Sequence, residues 1–302
     1  MSAVANDLQL SVGSVTESGG RATNEDAVLV QPLPAAAGQP GDGYLLAVAD
    51  GMGGYERGEV ASQLAIDLVR DLFARDQPAD AALALKQAFR RANEAIHAQA
   101  EANPDAGPMG TTLVCAVVRG KYVTIANVGD SRAYLVRANR MTQITQDHSL
   151  VAEQVQQGRL AAEEARSSPQ RNILTQALGT RPTLDKRMPS IYELVLLPED
   201  RLVLCSDGFY DVLSEDDYLE ALRGDDPAAA AQRLAALAIE RKTSDNVSAI
   251  VVAVSPSAAT LQRQQIAAEL AEQRGRVSPL LIPAIVLLIV IIAIAVGVYV
   301  YM

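Results

Sequence analysis

The run Val48-Ala49-Asp50-Gly51-Met52-Gly53-Gly54 constrains the fold more than any other stretch. An apolar, partly β-branched segment from Tyr44 to Ala49 ends in a carboxylate followed by three glycines within four residues. The pattern predicts a buried strand that delivers Asp50 at its end, with glycines that let the backbone turn tightly and approach a bound ion. A carboxylate beside an exposed carbonyl suits a hard cation such as Mg²⁺ or Mn²⁺. Taken alone, the same residues also read as a strand-to-helix turn capped by an aspartate.

Other acids share this setting. Asp130 follows Val128-Gly129 after a strand, Asp207 follows Leu202–Ser206 and precedes Gly208, and Asp245-Asn246 opens the last strand. Arg21 stands four residues before Glu25-Asp26, at the start of an early strand. Singly, each acid is a turn residue; together, with only two histidines in the chain, they select oxygen-loving cations. Such a centre suits phosphoryl hydrolysis. Paired ions acidify a bridging water and neutralise phosphate charge, and an arginine clamps the phosphate bidentately.

Apolar periodicity predicts strands over Leu8 to Thr16 and Asp26 to Gln31, both pairing near the Asp50 strand. A helix follows, with Val60, Leu64, Leu68 and Leu72 as its core stripe and Ala61, Ala65, Val69 and Phe73 beside them. A second, from Ala79 to Ala102, turns Leu85, Ala88, Ala92 and Ile96 inward and leaves His97 solvated. From Thr111 to Ile144 short strands read as an antiparallel meander. The polar stretch 147–189 reads as a surface flap with two helical pieces. Strands return at Tyr192 to Leu196, Arg201 to Ser206 and Val247 to Val254, with helices over Asp216 to Arg223 and Pro227 to Arg241. Strands and helices in blocks favour an α+β fold of packed antiparallel sheets flanked by helices over a doubly wound parallel sheet.

A chain of 302 residues allows one large domain or two small ones. Its net charge of −10, from 36 acidic and 26 basic residues, argues against a nucleic-acid surface. Cys115 and Cys205 sit in apolar runs and are expected as buried thiols, consistent with a reducing compartment. Met1 to Leu10 lacks the pattern of a secretory signal. After Ser255 a charged linker, 256–278, leads to Pro279–Met302, 24 residues without a charge. Spanning takes roughly 20 apolar residues, so this segment is expected to be a transmembrane helix. Arg274 and Arg276 precede it, which places the preceding domain on the cytoplasmic side of the cell membrane as a C-terminally anchored, single-pass protein.

These motifs, in order, carry a resemblance. Arg21-Ala-Thr-Asn-Glu-Asp26, Ala49-Asp-Gly-Met-Gly-Gly54 with Gly58-Glu59, Gly110-Thr-Thr112, Val128-Gly-Asp-Ser-Arg132, Thr145-Gln-Asp-His-Ser149, Ser206-Asp-Gly208 and Ser244-Asp-Asn246 make the chain similar to bacterial metal-dependent serine/threonine protein phosphatases of type 2C over Leu8 to Val254. The resemblance implies a catalytic domain over 1–255, a four-layer α/β/β/α sandwich with the metals, Mn²⁺ or Mg²⁺, in a cleft at one end. It implies that Asp50 bridges two ions, that Gly51 offers its carbonyl, and that Asp207 and Asp245 complete the site. Glu25, Asp26 and Asn246 act nearby, partly through metal-bound water. Arg21 takes the substrate phosphate, and Asp130 with Asp207 matches a third, weaker ion position.

The implied substrates are phosphoserine and phosphothreonine on cytosolic proteins, a kinase or its targets among them. One departure bears on mechanism: some members have a histidine where this chain has Met52, and a thioether cannot donate a proton. Water on a third metal near Asp130 is the expected donor, with His148 in a capping or packing role and Met52 packed beneath the turn. Two other readings use the same residues: a metal-binding pseudophosphatase acting as a binding module, and a hydrolase of small phosphoesters.

Overall fold

The computed structural model describes residues 8–34, 43–53, 57–76, 78–224 and 226–276. In chain order it runs β1 (Leu8–Glu17), β2 (Asp26–Leu33), β3 (Gly43–Gly53), α1 (Arg57–Asp76), α2 (Ala81–Ala102), β4 (Met109–Thr111), β5 (Leu113–Arg119), β6 (Tyr122–Val128), β7 (Arg132–Arg137) and β8 (Arg140–Gln143). It continues with α3 (Leu150–Gln156), α4 (Ala162–Ser167), β9 (Ser190–Val195), β10 (Arg201–Cys205), α5 (Asp207–Tyr210), α6 (Glu215–Ala221), α7 (Pro227–Glu240), β11 (Val247–Pro256) and α8 (Ala258–Arg276). Two compact units result, Met1–Ser255 and Pro256–Met302.

The first unit is built on two antiparallel sheets, ordered β1-β11-β10-β7-β8 and β2-β3-β5-β6-β9, with β4 paired to β3. Successive side chains of a strand point to opposite faces, so a strand buried on both faces must be apolar throughout. β3 obeys this: Leu46 and Val48 pack between the sheets, while Leu45, Ala47 and Ala49 face helices α1 and α2. β10 and β11 repeat the division, with Leu202, Leu204, Ile250 and Val252 between the sheets and Val203, Cys205, Ala249 and Val251 against α6 and α7. Three apolar layers therefore separate four layers of secondary structure. Both cysteines are buried and unpaired, and burial pushes the Cys205 thiol up to about 12.

Three expectations need correction. β1 joins the other sheet, beside β11, instead of pairing near β3. The strands after Thr111 do not form one meander: β6 belongs to one sheet and β7 to the other, so the chain crosses between sheets at Gly129-Asp130-Ser131. On α1 the fully buried face is Ala61, Ala65 and Val69, with Leu64 and Leu68 on its shoulder and Val60 exposed, because small residues let the helix lie close on the sheet. Ser257 precedes α8, and its Oγ accepts from Thr260 N at 3.3 Å. The expected span Pro279–Met302 lies outside the described residues, and among the described residues no helix is long and apolar enough to cross a membrane.

Leu46 is fully buried between the sheets. Leu46→Ala is expected to lower unfolding free energy by about 2–5 kcal/mol, read by urea denaturation, with the slope unchanged.

Candidate metal centre

β2 and β3 pair in a register that sets Asp26 opposite Asp50. The Asp50 backbone is then fixed from the other side. Its N–H donates to Thr112 Oγ1 at 3.0 Å, and its carbonyl accepts from Thr112 N and Thr111 Oγ1, each at 2.9 Å. The break between β4 and β5 at Thr112 is the cost of this clamp. β3 does not turn after Asp50 but continues to Gly53, paired with β4. The glycines serve close approach: a Cβ on Gly51 would lie 2.1 Å from the Gly58 carbonyl oxygen, and one on Gly58 would lie 2.8 Å from the Glu25 carboxylate.

Asp207 opens α5, directly after β10. Asp245 and Asn246 precede β11, where Gly20 N donates to the Asp245 carbonyl at 3.1 Å. Asn246 staples the Arg21–Asp26 loop to this strand. Its amide donates to Ser18 O at 2.9 Å and Thr23 O at 2.8 Å, and its Oδ1 accepts from Glu25 N at 2.9 Å. Arg21 reaches across to Asp245 Oδ2 at 2.7 Å. Asp130 sits at the crossing between the sheets. There His148 Nδ1 accepts from Gly129 N at 3.1 Å, and His148 N donates to Gly129 O at 3.0 Å.

These elements close on one cleft of about 580 Å³, lined by Arg21, Glu25, Asp50, Gly51, Asp130, Asp207, Asp245 and Asn246. Asp26 is behind the floor, its Oδ2 accepting from Ser206 Oγ at 2.8 Å. Met52 lines the wall itself and is not packed beneath a turn. The opposite wall comes from the segment after α4, through Asn172, Thr175, Gln176, Thr180 and Arg181. No single residue there was legible from the sequence; the polar, Ala-rich character of 147–189 marked only the segment.

Burial and mutual repulsion govern the acids. Burial, then Asp26, Asp207, Asp130 and Asp245, push the Asp50 carboxyl well up; burial, then Asp130 and Asp245, do the same to Asp207. Burial raises Asp26 and Asp130 to about 6. Two carboxylate oxygens, Asp26 Oδ1 and Asp207 Oδ1, are buried with no hydrogen-bond donor among the described residues. A buried acceptor without a donor is costly, and a hard cation or its water removes that cost. Among the described residues no three acidic, histidine or cysteine side chains close on a single point as a finished ligand set. Glu25, Asp50, Asp130, Asp207 and Asp245 instead share the lining of the cleft.

Residues 10–247 match the family Protein phosphatase 2C. The chain belongs to that family. It is 41% identical over 237 residues to serine/threonine protein phosphatase PstP of Mycobacterium tuberculosis, a match that takes in 78% of this chain and 43% of that protein. It is 37% identical over 183 residues to serine/threonine phosphatase stp of Listeria monocytogenes, covering 59% and 71% of the two chains. A solved structure of the PstP catalytic domain in complex with two manganese ions superposes with a TM-score of 0.70 at 37% identity, covering 82% of this chain and 99% of that one.

In this phosphatase 2C chain neither histidine enters the cleft lining. His148 accepts at Nδ1, so its Nε2 carries the proton and donates to Ser190 Oγ at 3.1 Å. Burial lowers its pKa from the ordinary 6.5, partly opposed by Asp147 and Glu153. His97, expected to be solvated, instead bonds through Nδ1 to Gly179 O at 3.0 Å.

A histidine with a lowered folded-state pKa stabilises above its unfolded value, and that contribution is lost as pH falls. The stability difference between the wild type and His148→Asn is therefore expected to be largest above pH 6.5 and to shrink below it, in urea melts run at several pH values.

Proposed function

We propose that the chain is a membrane-anchored, metal-dependent phosphatase that hydrolyses phosphoserine and phosphothreonine on cytosolic proteins, a kinase or its substrates among them. The observation that carries this reading is the convergence of Asp50, Asp207, Asp130, Asp245 and Glu25 on one cleft with Arg21, where the buried Asp207 Oδ1, and Asp26 Oδ1 behind the floor, have no donor among the described residues. Family membership and the two manganese ions in the PstP structure agree with it.

Asp50, Gly51, Asp207 and Asp245 would hold two Mn²⁺ or Mg²⁺ ions, with Asp130 and Asp207 at a further, weaker position. When bound, such ions acidify a water and neutralise phosphate charge. Glu25 and Asp26 orient water at the floor, and Asn246 fixes the loop that carries them. Arg21 is engaged with Asp245 and with Ser244 O at 3.1 Å; a cation on Asp245 would compete for that carboxylate and release the guanidinium to a phosphate. Because burial raises Asp26 and Asp130 to about 6 and pushes Asp50 and Asp207 well up, cation binding there releases protons and weakens as pH falls. Leaving-group protonation belongs to the Asp130 side of the cleft, since Met52 has no proton to give.

Phosphate release from a phosphothreonine peptide by the full chain is expected with Mn²⁺, to be abolished by chelator, and to fall by about a hundredfold or more in Asp207→Asn. A folded, Mn²⁺-binding protein without turnover would instead support a binding module. We assign Pro279–Met302 as the anchor, on its 24 uncharged residues. Ending the chain at Ser255 is expected to move the protein from the membrane to the soluble fraction; retention on membranes would contradict the anchor.

A further inference from the structure

We infer that the loop 179–187 reads a second anionic side chain beside the phosphorylated residue, and that Arg181 is the specificity-determining contact; this rests on the phosphatase reading above. Arg181 lines the acid-floored cleft and also an adjoining groove of about 620 Å³, whose remaining lining is 182–187. One residue thus borders both spaces. The groove carries Arg181, Lys186 and Arg187 against a single acid, Asp185, on a chain whose net charge is −10. That acid is already engaged, accepting from Arg187 N at 2.9 Å and Arg187 Nε at 3.4 Å. The exposed Arg181 guanidinium enters no hydrogen bond or ion pair among the described residues, whereas Arg21 across the cleft is bound to Asp245.

The loop that presents Arg181 is held rigidly from beneath. Asn93 of α2, 1% exposed, accepts from Gly179 N at 2.9 Å and donates to Arg181 O at 3.0 Å. His97 donates to Gly179 O, and Leu178 is fully buried and exchanges backbone bonds with Thr111 at 2.9 and 3.1 Å. Gly179 adopts φ +83°, and a Cβ there would lie 2.2 Å from Ile96 Cγ2. Anchoring of this kind removes most of the entropy cost of using the loop as a binding surface.

A peptide anion flanking the phosphoresidue approaches a cleft floored by acids, and the ions there are taken up with the scissile phosphate. The flanking charge therefore needs a cation of the protein's own. Arg181, a residue of both linings whose charge also acts on Asp185, meets a carboxylate or a second phosphate in a forked, charge-assisted pair.

Three phosphothreonine peptides of otherwise identical sequence test this with Mn²⁺ present: one with glutamine, one with glutamate and one with a second phosphoresidue at each flanking position in turn. KM is expected to be about tenfold lower for an anionic than for the neutral flank at one or more positions, the size of one charge-assisted hydrogen bond. Arg181→Glu is expected to abolish or invert that preference, and Arg181→Lys to keep part of it. The carboxylate and phosphate arms tell which anion is preferred. Matched peptides with a non-hydrolysable phosphonate, followed by fluorescence anisotropy, give the same order in binding. Turnover with no flank preference, or a preference untouched in Arg181→Glu, overturns the inference alone. Binding preference retained without turnover of any peptide overturns the phosphatase reading and leaves the inference standing.

Discussion

Repulsion among buried carboxylates at one end of the sandwich is the condition to which the rest of the structure answers. Burial raises every one of Asp26, Asp50, Asp130 and Asp207; Asp50 is raised further by Asp26, Asp207 and Asp130, and Asp207 by Asp130 and Asp26. Left to relax, such acids would separate or fill with water. They are held because the clamps act on backbone: the two threonines on Asp50, Asn246 on the Glu25 loop, and His148 on the Gly129 turn. Apolar layers behind them, packed on both faces of both sheets, give those clamps something rigid to pull against.

The sandwich was legible because its strands are apolar on both faces and its acids stand where apolar runs stop. β3, β10 and β11 show it most clearly, since alternate residues of each belong to different apolar layers. Sheet membership was not legible. Nothing in the local pattern of β1 distinguishes a partner in one sheet from a partner in the other, and the crossing at Gly129-Asp130 looks, in sequence, like any hairpin turn. Pairing is decided by long-range packing, which a window of local periodicity does not contain.

The site divides in the same way. The acids, Arg21 and Asn246 were readable from residue type, position and motif, and His148 was expected to cap or pack, whereas the bonds by which Thr112 and Asn93 hold backbone were not. Thr112, Asn93 and His148 act through hydrogen bonds to backbone distant in sequence, and such bonds leave no periodic trace. His97 shows the point: on the helix it lies off the apolar stripe, which reads as solvent, yet the loop carrying Gly179 folds over it. The single residues of the wall opposite the acids were not readable for a related reason, since they come from irregular backbone between α4 and β9.

The interlock of Gly51 and Gly58 has a bearing on how this cleft can change. Each occupies the space that a side chain on the other would need, and the Gly58 position also abuts the Glu25 carboxylate. Neither clash is relieved by altering the partner, because both are already the smallest residue available. The two positions therefore form a closed unit with no stepwise route out. Diversity in this cleft, whether drawn by evolution or by a designed library, must come from the wall 172–181 and not from the floor.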